Sequence, residues 1–162
     1  MKTINKKSKT ALISGALFLV IGFSSSAVFS QTDPLPMAPA ISSLKGVSVG
    51  MTKDEVKEAL GKPKMSDKTS MNYTFSKTET AQIRFDEKGK ARTIAVIYTN
   101  GDETAPSFSD IFGPDVPLVK GKNGSEYKLI RYRDVGYYVA YSRTIVSKKA
   151  MTVITMRKLA NK

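Results

Sequence analysis

Five tyrosines and three arginines fall within 17 residues of the C-terminal half: Tyr127, Tyr132, Tyr137, Tyr138 and Tyr141 with Arg131, Arg133 and Arg143. Tyrosine and arginine are the types most enriched at binding hot spots, and a small sheet can display them on one open face. Tyr137 and Tyr138 are adjacent, so in a regular strand they point to opposite faces and at least one is outward. The candidate binding residues are therefore Tyr132, Tyr137, Tyr138, Tyr141, Arg131, Arg133 and Arg143. The competing arrangement packs one tyrosine of each pair on a helix and leaves the rest as ordinary strand residues.

Other motifs carry less. Ser42-Ser43-Leu44-Lys45 has the Ser-x-x-Lys spacing of a nucleophile and its base, but the companion motifs Ser-Asp-Asn and Lys-Thr-Gly are absent and no helix is expected beneath it. The acidic groups Asp54, Glu55 and Glu58, and Asp86 with Glu87, lack the alternating oxygen ligands of a calcium loop. Helix capping accounts for the first group and a polar hairpin for the second. Lys120-Gly121-Lys122-Asn123-Gly124-Ser125 has neither the Gly-Lys-Ser/Thr order nor the preceding buried strand of a phosphate loop, and reads as a flexible loop. The chain has no histidine and no cysteine. That removes the commonest general base, disulfides, thiolate metal sites and any lipidated cysteine. No catalytic, cofactor-binding or metal-ligating residue is assigned, and the expectation is a non-enzymatic protein.

The N-terminus reads as a secretory leader. Lys2, Lys6, Lys7 and Lys9 precede Ala11 to Phe23, 13 apolar or small residues, and Ser24 to Ser30 form a small-residue exit. A membrane anchor needs about 20 apolar residues, so cleavage is expected, with no transmembrane span in the mature form. Val28 and Ser30 fit cleavage before Gln31; cleavage after Ala27 is the alternative. The chain carries 26 Lys and Arg against 14 Asp and Glu, or +12; without the four leader lysines the balance is 22 against 14, or +8. Residues 41–106 hold 11 basic and 9 acidic side chains, residues 107–162 hold 11 and 4. An excess of this kind outside the cytoplasm suits an anionic neighbour or a solvated lysine-rich surface. Nucleic acid is not expected as a partner, since no recognition motif is present.

These residues need elements to position them. Pro34, Pro36 and Pro39 make 31–40 an extended linker. From Thr52 to Gly61 every local cue agrees on a helix. Thr52 and Glu55 spell a capping box, Asp54 and Glu55 suit the first turn, and Val56, Ala59 and Leu60 form an apolar stripe. Gly61 and Pro63 then end it. Alternation predicts strands at Asn72–Ser76, around Ala81, Ile83 and Phe85, and over Arg92–Thr99, with a turn at Asp86–Gly89. A second, looser round follows: Phe108, Ile111, Phe112 and Gly113 match the spacing of Val56, Ala59, Leu60 and Gly61. Strands at Tyr127–Arg133, Tyr137–Tyr141 and Met151–Arg157 complete it.

The Gly50-Met51-Thr52 opening, the Glu55-Val56 pair and the Leu60-Gly61-Lys62-Pro63 close resemble the start of SmpA/OmlA (BamE)-type domains. They are also similar to the tandem domains of the β-lactamase inhibitory protein and, closest in type, to the exported YjgB-like proteins of Gram-positive bacteria. The resemblance implies a helical segment packed on a small antiparallel sheet, doubled in the tandem forms. The expected fold is α+β: two tandem helix-plus-antiparallel-sheet units, 41–103 and 104–162, after a leader at 1–30 and the linker at 31–40, with the two sheets continuous or closely packed. The expected function is an exported binding or regulatory module of the cell envelope, engaging a protein or envelope polymer through a Tyr/Arg-rich sheet face. The alternative is a structural component held by charge at anionic lipid or wall polymer, with peripheral contact to the membrane surface.

Overall fold

The computed structural model describes residues 38–121 and 123–160. The expected leader, 1–30, and residues 31–37 of the proline-rich stretch lie outside the described residues. The elements follow in the order α1 (Lys53–Leu60), β1 (Met65–Ser66), β2 (Ser70–Thr74), β3 (Glu79–Phe85), β4 (Ala91–Tyr98), α2 (Phe108–Phe112), β5 (Val119–Lys120), β6 (Glu126–Tyr132), β7 (Tyr137–Val146) and β8 (Lys149–Lys158).

Local chemistry explains both helices. In α1, Thr52 Oγ1 accepts from the Glu55 N–H, and the Thr52 N–H donates to Glu55 Oε2 at 2.6 Å. Gly61 takes φ 78° and its N–H bonds the Lys57 carbonyl, closing the last turn. A second capping box, Ser107 with Asp110, starts α2, and Gly113 at φ 88° ends it. Val56 is fully buried and Leu60 partly so, whereas Ala59 of the expected stripe is exposed. Eight residues make little more than two turns, so the buried face narrows to Val56 with Leu60 at its edge. Thr52→Ala removes one side of the α1 box and is expected to cost about 0.5–2 kcal/mol, measurable as a lower urea midpoint with unchanged slope.

All eight strands join one antiparallel sheet in the spatial order β1-β2-β3-β4-β8-β7-β6-β5. Alternation sends Met71 and Tyr73, Ile83 and Phe85, Ile94 and Val96, Ile154 and Met156, Val139 and Tyr141, and Ile130 and Tyr132 to one face. There they form a single cluster with Val56 of α1, Ile111 and Phe112 of α2, and Leu44 and Val47 of the N-terminal segment. The β7–β8 turn places Ser147 and Lys148 at φ 49° and 66°, both in the left-handed region. Two-residue hairpin turns demand that geometry because it follows the right-handed twist of the strands.

This architecture corrects the expected fold. The described residues form mostly one eight-stranded sheet with two short helices, not two helix-plus-sheet units. The reason lies in β4 and β8, which pair from Thr93–Arg157 through Tyr98–Thr152. Two separate sheets would leave each of these apolar strands as an unpaired edge, and pairing removes both edges at once. Helices of eight and five residues are also too short to form a layer of their own.

Candidate functional site: the outer sheet face

With helices and core on the inner face, no described element covers the opposite face of the sheet. Register sets its composition. One cross-strand row runs Arg84, Thr93, Arg157, Tyr138, Arg131 over β3, β4, β8, β7 and β6. The next runs Gln82, Ala95, Thr155, Ala140, Leu129, and a third runs Thr80, Ile97, Val153, Ser142, Tyr127. None of these 15 side chains is buried and none is acidic. At about 4.8 Å per strand a row of five spans roughly 19 Å. One end of the face is therefore cationic and the other apolar, with Ile97, Val153 and Tyr127 exposed or half-exposed.

The sheet divides the expected Tyr/Arg cluster. Tyr138 and Arg131 are outward and directly opposed across β6 and β7. Tyr132, Tyr137 and Tyr141 are buried on the inner face, so those three do not share an open face with the arginines. The Tyr137 hydroxyl donates to the Ile41 carbonyl at 3.2 Å, fastening the N-terminal segment, while the Tyr132 and Tyr137 rings lie 6.2 Å apart. Tyr141 meets Phe108 of α2 edge-on at 5.6 Å. Burial pushes all three hydroxyls up from their ordinary value. Arg133 is exposed just beyond the end of β6, and Arg143 is half-buried on the inner side.

Three outward arginines had no local signal. Arg84, Arg92 and Arg157 line a cleft of about 340 Å³ with Asp67, Thr69, Ser70, Phe85 and Thr93. A shift in register makes Arg92 the extra residue of a bulge: Arg84 pairs with Thr93, whereas Phe85 pairs with Ala91. Bulges re-aim a side chain, and this one brings Arg92 to the cleft.

Asp67, at the cleft edge, is occupied by its own turn. Its Oδ1 accepts from the Thr69 N–H, the Thr69 hydroxyl and the Ser70 N–H, and its Oδ2 from the Ser70 hydroxyl. The Ser70 hydroxyl, then the Thr69 N–H and hydroxyl, hold its carboxyl well below the usual carboxylate range. A lowered folded pKa stabilises the native state above the unfolded value and is lost as pH falls toward the folded one. Wild type should therefore lose melting temperature below about pH 4 more steeply than Asp67→Asn, in scans compared at pH 5 and pH 2.

A larger cleft of about 580 Å³ lies beside α2, lined by Phe108, Leu118, Glu126, Tyr141 and Arg143, with Asp102 and Glu103 also present. Its charges are of mixed sign and offer no single complement. At Lys45 of the Ser-x-x-Lys spacing, Nζ forms an ion pair with Glu79 Oε1 at 2.8 Å. Asp54 pairs with Lys57, Glu55 caps α1, and Asp86 accepts from the Lys88 and Lys90 N–H groups. Among the described residues no group of three or more His, Cys, Asp or Glu is placed to hold a metal. Compared with protein-family models, curated proteins and solved structures, the chain matches none.

Proposed function

We propose that the chain is an exported, non-enzymatic binding module of the cell envelope, engaging a protein or an anionic envelope polymer through the outer face of its sheet. The observation that carries this reading is the face itself: 15 outward positions on five consecutive strands with no acidic residue, cationic at one end and apolar at the other. Single-sign charge steers an anionic partner toward the surface, and Tyr138 between Arg131 and Arg157 supplies a rigid aromatic anchor. The Met1 to Ser30 leader supports placement outside the cytoplasm.

Capture from native envelopes by the immobilised mature protein tests the reading. Tyr138→Ala and Arg131→Ala should each cost about 2 kcal/mol or more in affinity at both low and physiological salt. Uniform losses from changes at Lys120, Lys148 and Lys149, vanishing at higher salt, would instead indicate a chain held by charge alone.

A further inference from the structure

We propose that Arg84, Arg92 and Arg157 form a binding site for phosphoryl groups, and that the polymer engaged by the outer face carries phosphodiesters. This rests on the preceding reading for the polymer, but not for the site. The three arginines come from β3, the β4 bulge and β8, and line one cleft. The ion pairs among the described residues are Lys45–Glu79 and Lys57–Asp54, so none of the three arginines is ion-paired with a carboxylate of the described residues. Asp67, the carboxylate lining the cleft, accepts hydrogen bonds from Thr69 and Ser70 and offsets one of the three charges. Three cations less one anion leave a net charge of +2 at the cleft.

The donor set favours phosphate over carboxylate. Each guanidinium offers a planar fork, and three forks present more N–H groups than the two oxygens of one carboxylate can use. A phosphoryl group presents up to four oxygens in a tetrahedral array, and one terminal phosphate or two adjacent phosphodiesters match the +2 charge. The cleft, about 340 Å³, exceeds a single oxyanion and leaves room for the group to be part of a chain. Thr93 also lines the cleft and adds a neutral donor. Beyond it, the row continues through Tyr138 to Arg131, a track along which a second phosphate would sit.

Titration calorimetry of the mature protein with pyrophosphate, long-chain polyphosphate and poly-glutamate tests the site. Pyrophosphate should bind, and Arg157→Ala and Arg92→Ala should each weaken it about tenfold, the equivalent of one charge-assisted hydrogen bond. Arg157→Lys should recover only part of the loss, since it restores the charge but not the fork. Arg143→Ala, an equal change in charge on the other face, should leave affinity unchanged. Tighter binding of polyphosphate than of pyrophosphate supports a polymeric source, and equal affinity per site supports a small phosphate. The proposal is overturned if neither phosphate binds, if poly-glutamate binds more tightly than polyphosphate, or if Arg143→Ala weakens binding as much as Arg157→Ala. Failure here with Tyr138-dependent envelope capture intact would remove the phosphoryl site alone. Phosphate binding without Tyr138-dependent capture would remove the wider reading and leave the site.

Discussion

Phe112→Ala should destabilise the protein by about 3–5 kcal/mol, a large share of the 5–15 kcal/mol that holds a typical domain. Phe112 is the last residue of α2 and is 3% exposed. A helix of five residues has almost no stability of its own, so packing must hold it. Its ring lies 5.1 Å from Phe108, which in turn meets Tyr141 on β7, and Ile111 enters the same core. Truncation removes a buried ring and leaves a cavity that α2, already fixed by its capping box and by Gly113, can collapse into only partly. Urea unfolding reads the effect. A loss under about 1 kcal/mol would mean that α2 is peripheral to the core.

Ile154→Ala should cost about 2–5 kcal/mol, and it tests the continuity of the sheet. Ile154 is 0% exposed at the middle of β8. Its cross-strand neighbours are Val96 on β4 and Tyr141 on β7, so it lies at the seam where the two halves of the sheet join. A single sheet over a single core should unfold as one unit, and the variant should keep one transition with an unchanged urea slope. Two resolved transitions, only one of them shifted, would show that the β1–β4 and β5–β8 halves are energetically independent.

What was legible in the sequence was what local chemistry decides. The α1 helix could be read because Thr52, Glu55, Gly61 and Pro63 all act within one or two turns. The capping box of α2 is equally local, Ser107 three residues before Asp110, and Pro106 and Pro114 on either side keep that helix to five residues. The long strands showed their period of two, although β2 lies at Ser70–Thr74 rather than Asn72–Ser76. Two-residue strands such as β1 and β5 carry no period at all. The β4–β8 pairing, which overturns the two-unit fold, is a contact between residues about 60 apart, and no local pattern encodes it.

The site divides along the same line. Adjacent Tyr137 and Tyr138 had to face opposite ways, and parity held the answer. Tyr137, Val139 and Tyr141 outweigh Tyr138, Ala140 and Ser142 in apolar bulk, which marks the first set as inward. Arg84, Arg92 and Arg157 become neighbours only through strand register and a bulge, so their grouping was invisible in one dimension.

Photo-crosslinking tests the outer-face account most directly. A crosslinking residue placed at Ala140 or Thr155 lies at the centre of the outer face, and one at Glu58 or Ser109 lies on an exposed helix surface across the core. In native envelopes the account predicts adducts to an envelope component from Ala140 and Thr155, reduced by Tyr138→Ala, and none from Glu58 or Ser109. Adducts from the helix positions with none from the outer face would contradict it.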